Sequence, residues 1–513
     1  MKKRLALLII MILATFSHIY VSEAAEQKVK KSESQIYIDS LLSQEPLRTA
    51  QFGILAVKIS GDTIAESSSI KNFIPASNIK LITTGLALNE LGSDFRFETL
   101  IGYSGTITDD VLKGDLYIIG GGDPTIGSKD SIAKPVEQIF SEWHKMLSEA
   151  GIRSIDGSII GDGRFFEGPI EETSWLYEDI GTYYGTGCNA LCFFKNIQSF
   201  NVIPGNTAGS PLKISPAYPD TPWMKFSYNC TTGKKETGDR LYLFETDLYP
   251  NAEIRGTFGS DKKYRTVKCS NKFGAYTCAY HFMKYLNTKG LDIKGGCADI
   301  DIEGRIRKKL GTAKQWNKAT AQEQLTIIGK TLSPKLHRIA FITNQQSDNF
   351  YAEAIYRMLG KKMAGTAEYG KFDSAIDQAI NRLEIKDKSG SYKIVDGSGL
   401  SKKDYASPDF LCKFLKAMME TSIFETYLST LTQPDKGTQT GRLRNSPASV
   451  KERIYWKSGS MDGVRCYSGY IVPSEGTKED TIIFSVMLNN CTAPNWKANL
   501  TIDSIIESLA KEN

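Results

Sequence analysis

The chain of 513 residues carries 63 Lys and Arg against 58 Asp and Glu, which gives a formal charge of +5. This length exceeds that of one ordinary domain, so the sequence predicts two or more domains. The charges are scattered without a basic block, which argues against nucleic acid as a main partner.

The first 25 residues have the pattern of a secretory signal peptide. Lys2, Lys3 and Arg4 form a basic start, residues 5–16 are apolar, and residues 22–24 supply small residues for cleavage. The apolar run is short for a bilayer span, and no later stretch is long and apolar enough to be a membrane helix. The sequence therefore predicts an exported, periplasmic protein that is soluble once residues 1–25 are removed.

The elements before residue 95 follow the order helix, hairpin, helix. Residues 36–42 have the pattern of a short helix, and residues 52–59 and 63–66 that of a β-hairpin. A second helix begins at residue 76 or 77 and ends at Gly92, as a helix with a C-terminal glycine does. Its sequence is too densely apolar for a surface helix, so we expect it to be mostly buried.

From residue 95 the pattern changes to short alternating strands separated by Gly and Asp turns. We predict strands at residues 95–103, 115–119 and 158–162, and an amphipathic helix at residues 132–150. From Trp175 to about residue 311 the chain shows short β-like runs and nothing with the spacing of a catalytic constellation. We interpret residues 95–321 as inserted, β-rich accessory domains.

Helical patterns return in the last third of the chain. The predicted helices there are residues 350–360, 372–383, 408–419 and 500–509. The predicted strands are residues 454–457, 469–472 and 482–488, with a strand and turn at 394–400. Residues 26–94 and 322–513 can therefore form the two parts of one sheet domain that the insert divides.

Histidine and cysteine restrict the chemistry that the chain can perform. His144, His281 and His337 are the histidines outside the predicted signal peptide, so neither a multi-histidine zinc site nor a Ser-His-Asp triad has local support. Nine cysteines occur, and Cys188 and Cys192 have no histidine near them. A disulfide or a buried thiol is therefore a better interpretation of this pair than a metal site, and we expect no metal and no cofactor.

Ser77 and Lys80 stand three residues apart at the head of the buried helix. This spacing places both side chains on one face. A serine hydroxyl needs a nearby base, and burial can lower the pKa of a lysine until it serves as that base. The alternative is an N-capping serine followed by a solvated lysine, which S-x-x-K alone does not exclude.

Two further motifs follow in chain order, and together with Ser77 and Lys80 they favour the catalytic interpretation. Ser347-Asp348-Asn349 alone would be a helix-capping loop, and Lys457-Ser458-Gly459 alone would be a turn. The order of the three motifs is that of penicillin-binding proteins and related β-lactamases. Each motif is predicted to lie at the boundary of an element, where a side chain can reach a shared site.

The residue types suit an acyl transfer. Lys80 can take the proton of Ser77, and Ser347 can relay a proton to the leaving amine. Asn349 can hold Lys80 and a substrate amide. Lys457 can attract a substrate carboxylate, and Ser458 can add a hydrogen bond to it. The backbone N–H groups of Ser77 and Ser460 are candidates for the oxyanion hole.

Longer blocks carry a family resemblance from about residue 50 onward. PASNIKL, GDLYIIGGGDPT, SDNFYAEA, VDGSGLS, GRLRN and WKSGSMDGV resemble blocks of the D-Ala-D-Ala carboxypeptidase/endopeptidase family, the class C penicillin-binding proteins of peptidase family S13. The resemblance implies an α/β (α+β) fold: a transpeptidase/β-lactamase-like catalytic domain of antiparallel sheet flanked by helices, split by a large insert. It also implies cleavage of D-alanyl bonds in peptidoglycan stem peptides or their cross-links, and acylation by β-lactams.

Carried over by motif, the resemblance makes Ser77 the acylated nucleophile and Lys80 the general base. Ser347 and Asn349 then belong to the second motif and Lys457 to the third, with Ser458, Gly459, Ser460 and Asp462 on the substrate side.

Several positions depart from the family pattern. Ser458 replaces the more usual Thr, and Lys402 stands where Arg is expected. Asp462, near the mouth of the site, is acidic, and we expect it to alter recognition of the third residue of the stem peptide. Asp162 and Phe166 lie in a segment that resembles one contacting that residue.

The motifs serve a carboxypeptidase and an endopeptidase equally, because both attack the same acyl carbonyl. The main alternative is a non-catalytic peptidoglycan-binding scaffold on the same fold. A β-lactamase or esterase is a third possibility, which the large insert disfavours.

Overall fold

The computed structural model describes residues 31–300, 304–307, 316–320, 324–385 and 391–512, with the backbone alone for residues 316–320. The predicted signal peptide and the expected boundary between residues 321 and 322 lie outside these ranges. Within them, no helix is both long and apolar enough to cross a membrane.

The helices and strands are defined here in chain order. The helices are α1 Glu33–Leu41, α2 Ile79–Leu91, α3 Val136–Glu149, α4 Gly274–Thr288, α5 Leu336–Gln345, α6 Asn349–Ala364, α7 Asp373–Arg382, α8 Pro408–Met419, α9 Phe424–Thr430, α10 Ala448–Lys451 and α11 Asn495–Ala510. The strands are β1 Gln51–Lys58, β2 Thr63–Ser67, β3 Glu98–Tyr103, β4 Thr106–Thr108, β5 Val111–Lys113, β6 Leu116–Gly120, β7 Ser154–Ile155, β8 Ile159–Asp162, β9 Ile197–Ile203, β10 Lys213–Pro216, β11 Lys225–Gly233, β12 Asp239–Phe244, β13 Asn251–Gly259, β14 Arg265–Ser270, β15 Asp292–Ile293, β16 Cys297–Ile300, β17 Arg305–Arg307, β18 Trp316–Thr320, β19 Thr326–Leu332, β20 Tyr392–Lys393, β21 Tyr405–Ala406, β22 Ile454–Met461, β23 Val464–Ile471 and β24 Ile482–Asn489.

One antiparallel sheet joins the two ends of the chain. Its five strands run in the order β2-β1-β24-β23-β22, so strands from before and after the insert pair directly. Every residue of β23 and β24 is buried. Helices α1 and α11 cover one face of the sheet, whereas α8 packs on the other, where α2, α5 and α6 belong to the same hydrophobic cluster. Because both faces are covered, the central strands β1 and β24 are nearly continuous apolar runs instead of alternating ones.

The inserted region is built on a second, larger sheet. Seven strands run in the order β18-β17-β16-β8-β6-β3-β19, and α4 packs against β8 and β16. Two three-stranded sheets, β10-β9-β14 and β11-β13-β12, and the four-stranded β15-β7-β5-β4 complete the region. β19 lies after the expected boundary at residue 321 yet pairs with β3. We therefore propose that the insert extends to Leu332.

Helix α4 corrects the sequence interpretation of residues 175–311 as short β-like runs. The segment GAYTCAYHFMKYLNT is rich in aromatic residues, which favour strands. Its Ala275, Ala279, Phe282 and Leu286 are nevertheless spaced for one helical face, and all four are buried. Burial of that face against the sheet outweighs the local preference.

All nine cysteines lie among the described residues, and each is a free thiol. Cys188 and Cys192 are buried, which matches one of the two states left open for them. Burial raises the pKa of Cys188 to about 12.

Candidate active site

The head of the buried helix begins one turn earlier than α2 itself. A short 3₁₀ turn, Ala76–Asn78, precedes α2, and Gly92 ends the helix with φ of 87°. Ala76 has φ of 47°, a region that costs energy for a residue with a side chain. This strained turn presents Ser77 at the wall of a cavity of about 590 Å³.

Lys80 connects three segments that are far apart in the sequence. Its Nζ lies 3.0 Å from Ser77 Oγ, 2.7 Å from Asn349 Oδ1 and 2.6 Å from the carbonyl oxygen of Ser398. These three acceptors fix the amine beside the hydroxyl. The arrangement can pass a proton between Ser77 and Lys80 without movement of either backbone.

The surroundings of Lys80 set its protonation. Complete burial lowers the pKa of Lys80 to about 8, and the negative charges of Asp396 and Glu353 oppose that shift. Asp396 accepts hydrogen bonds from the backbone N–H groups of Gly399 at 2.6 Å and Ser401 at 2.8 Å. Burial, followed by the charge of Asp396, raises the pKa of Glu353 to about 8.

Lys457 connects the second motif to the third. Lys457 Nζ donates to Ser347 Oγ at 2.9 Å and to the carbonyl of Ser458 at 2.7 Å. Burial lowers the pKa of Lys457 well below its ordinary value, and the charge of Lys80 lowers it further. Asn349 Nδ2 donates to the carbonyl of Tyr184 at 3.0 Å, a contact that the sequence did not indicate.

The third motif lies within a strand and not at a strand end as predicted, because β22 continues through it to Met461. β22 lies at one edge of the described sheet, and the N–H of Trp456 points outward to Thr432 O at 2.9 Å. By the alternation of a strand, the N–H groups of Ser458 and Ser460 point the same way. Ser460 and Ser77 line the same cavity, as an oxyanion hole between their N–H groups requires.

Two glycines permit the close approach of backbones around Ser77. A Cβ on Gly459 would lie 2.4 Å from Pro75 O and 3.1 Å from Ser77 N. A Cβ on Gly399, whose φ is 76°, would lie 1.9 Å from Ala76 O. Residues 394–400 form a loop here, not the predicted strand and turn, because their backbone N–H groups bond to carboxylates instead of a neighbouring strand.

The cavity combines catalytic-domain and insert residues. Asp462 lines it, as expected, whereas the Ser458 hydroxyl oxygen accepts a hydrogen bond from Gln439 Nε2 at 3.0 Å. Asp162 is held by Arg164, and neither Asp162 nor Phe166 is among the lining residues. From the insert come Leu176, Glu178, Asp179, Tyr183, Tyr184, Lys195, Ile197, Tyr242 and Lys268. Sequence reasoning missed this set because the residues have no common spacing.

Comparison with solved structures defines the class of fold. The crystal structure of penicillin-binding protein 4 from Haemophilus influenzae aligns with a TM-score of 0.75 at 19% identity, covering 92% of this chain and 98% of that one. The structure of the same protein complexed with a novel β-lactam aligns with a TM-score of 0.70 at 18% identity, over 92% and 98% of the two chains. The fold is thus that of a penicillin-binding protein.

The sequence comparison identifies the family within that class. The D-Ala-D-Ala carboxypeptidase 3 (S13) family matches residues 34–511, and the chain belongs to this family. A D-alanyl-D-alanine carboxypeptidase of an Actinomadura species is 23% identical over 470 residues, which are 89% of this chain and 81% of that protein. The protein is accordingly a serine D,D-peptidase of the penicillin-binding class.

Proposed function

We propose that the protein cleaves D-alanyl bonds of peptidoglycan stem peptides through an acyl-enzyme on Ser77. The observation that carries this proposal is the hydrogen-bonded set of Ser77, Lys80 and Asn349 beside the Lys457–Ser347 pair. Lys80, in its neutral form, accepts the Ser77 proton as Oγ attacks the carbonyl carbon of the D-alanyl bond. The oxyanion then accepts hydrogen bonds from the N–H groups of Ser77 and Ser460.

The second half of acylation uses the other lysine. Lys457 attracts the carboxylate of the substrate, and Ser458 and Ser460 on the same strand, β22, contribute hydrogen bonds to it. Ser347, which is bonded to Lys457, relays a proton to the leaving amine as the peptide C–N bond breaks. Gly459 keeps the strand close to Ser77, and Asp462 at the cavity wall contacts the stem peptide. Water then hydrolyses the Ser77 ester, and the hydroxyl is restored.

Peptidoglycan stem peptides are polymer components outside the cytoplasm, so the proposed substrate agrees with the expected export of the chain. We place the mature protein in the periplasm, with β-lactams as inhibitors that acylate Ser77 in place of the peptide. The catalytic domain consists of the segments before and after the insert.

The proposal is tested by release of free D-alanine from a stem pentapeptide ending in D-Ala-D-Ala, and by cleavage of a cross-linked peptide dimer. Wild-type protein should release product, whereas Ser77→Ala and Lys80→Met should not. Lys416→Met, which changes an exposed lysine bonded to Ile59 O, is the matched control and should remain active. Binding of either peptide without turnover by wild type would favour the scaffold alternative.

A further inference from the structure

A strained turn of the insert lies against the second motif. Phe194, Lys195 and Asn196 have φ of 53°, 54° and 51°, so three consecutive residues with side chains adopt the left-handed conformation. Residues other than glycine normally visit this region singly, because each one costs about 1–2 kcal/mol. Such a turn persists only where its surroundings fix it.

Contacts on both sides fix the turn. The N–H of Phe194 donates to Ile126 O at 3.0 Å. Asn196 Nδ2 donates to Gly187 O at 3.2 Å and to Asn189 Oδ1 at 3.1 Å. These contacts hold the chain on both sides of Lys195 and so fix the direction in which its side chain leaves the backbone.

That direction brings Lys195 to two carboxylates. Its Nζ lies 2.8 Å from Asp348 Oδ2 and 3.1 Å from Asp130 Oδ2. The side chains are 18% exposed for Lys195, 11% for Asp348 and 12% for Asp130, so water screens the three charges weakly. Tyr351 completes the cluster by donating its hydroxyl to Asp130 at 2.8 Å.

Asp348 is the middle residue of the second motif. Its Oδ1 accepts the N–H of Tyr351 at 2.9 Å and so caps the start of α6. Ser347, on one side, contacts Lys457, and Asn349, on the other, contacts Lys80. Because Asp348 is linked through the backbone to Ser347 and Asn349, a shift of Asp348 changes both contacts to the lysines.

We propose that Lys195 is a positioning residue that fixes Ser347 and Asn349 through Asp348, so that the insert takes a direct part in acylation. This inference rests on the proposed function. Without the Lys195 charge, Asp348 and Asp130 face each other as unpaired anions, and their repulsion shifts the motif. Misplacement of reacting groups by about 1 Å slows an enzyme by roughly 100-fold.

A second ion pair between the insert and α6 provides the matched control. Lys361, on the same helix, pairs with Glu167 of the insert, and its side chain is 20% exposed. Lys361 lies three turns of helix beyond the second motif and outside the residues that line the cavity. Loss of this pair weakens the docking of the insert and leaves Asp348 untouched.

The experiment compares the rate of acylation by benzylpenicillin, measured by stopped flow, in Lys195→Met, Lys195→Arg and Lys361→Met, with a melting temperature for each. Lys195→Met should slow acylation by about 10- to 100-fold. Lys195→Arg should restore most of the rate because it keeps the charge, and Lys361→Met should match wild type. Equal rates in Lys195→Met and Lys361→Met would overturn the inference.

If Lys195→Met is less stable than wild type, a double-mutant cycle with Asp348→Asn separates loss of the Lys195–Asp348 contact from the general loss of stability. Asparagine retains the helix cap, so this background removes only the charge that Lys195 contacts. Lys195→Met should then slow acylation by no more than about twofold further, whereas fully additive effects would overturn the inference. Absence of acylation in folded wild type would overturn the proposed function together with this inference, and acylation in wild type that Lys195→Met leaves unchanged would overturn this inference alone.

Discussion

The protonation of Lys80 makes a quantitative prediction about the pH dependence of acylation. Lys80 can accept the Ser77 proton only when it is neutral, and its pKa is about 8. The neutral fraction is then about 0.1 at pH 7, about 0.5 at pH 8 and about 0.9 at pH 9. The limiting rate of acylation should therefore rise about tenfold from pH 7 to pH 9, by about fivefold up to pH 8 and by about twofold above it.

The assay is the limiting acylation rate at saturating benzylpenicillin, followed by stopped flow between pH 6 and pH 9.5. Saturation matters because the rate then reports groups in the complex, where the bound carboxylate keeps Lys457 protonated. Melting temperatures across the same pH range show that the fold is intact. A rate that is flat from pH 7 to pH 9, or that still rises tenfold per pH unit above pH 9, would refute the role of a buried, deprotonated Lys80.

A substitution at Asp396 separates this explanation from other titrations. Asp396 is the strongest of the negative charges that raise the pKa of Lys80. Asp396→Asn removes the charge, so the midpoint of the profile should move down by about one pH unit. The indole N–H of Trp175, which bonds to Asp396 at 2.8 Å, loses part of its acceptor, so some stability is lost as well. An unchanged midpoint in folded variant would show that another group controls the rate.

Three further predictions follow from the geometry. The dissociation constant for benzylpenicillin should increase with pH as free Lys457 loses its proton, and Lys457→Met should abolish that increase. The same stopped-flow series measures it, and an equal increase in the variant would contradict the role of Lys457 in binding the carboxylate. Gly459→Ala places a Cβ 2.4 Å from Pro75 O, so it should lower the free energy of unfolding by about 1–3 kcal/mol and slow acylation by at least about tenfold. A wild-type rate and melting curve would show that β22 is not held against Ser77. Thiol titration in denaturant without reductant should count nine thiols, and a count of seven or fewer would reveal disulfides that the structure does not contain.

The sequence predicted the central helix because its signal is local and strong. The apolar density of α2, the spacing of Ser77 and Lys80 and the closing Gly92 all lie within 16 residues of sequence. The hairpin β1–β2 and the strands β22, β23 and β24 were predicted for the same reason, with ends that differ by up to about five residues, whereas the strand predicted at residues 394–400 is a loop. The order of the motifs then indicated the fold that the comparisons support.

The parts of the site that the sequence did not indicate depend on long-range backbone contacts. Ser398 meets Lys80 through its carbonyl oxygen, and Tyr184 meets Asn349 in the same way. Every residue has a backbone carbonyl whatever its side chain, so neither contact can be predicted from the residue types. Lys195 reaches Asp348 from a left-handed turn, and the sequence of residues 193–196, FFKN, does not predict that conformation.

The most direct test of the account is intact-protein mass spectrometry after incubation with benzylpenicillin, with wild type beside Ser77→Ala. The account predicts that wild type gains the mass of one benzylpenicillin, that proteolysis maps it to the peptide containing Ser77, and that Ser77→Ala gains nothing. A folded wild-type protein that forms no adduct, or an adduct that persists in Ser77→Ala, would contradict it.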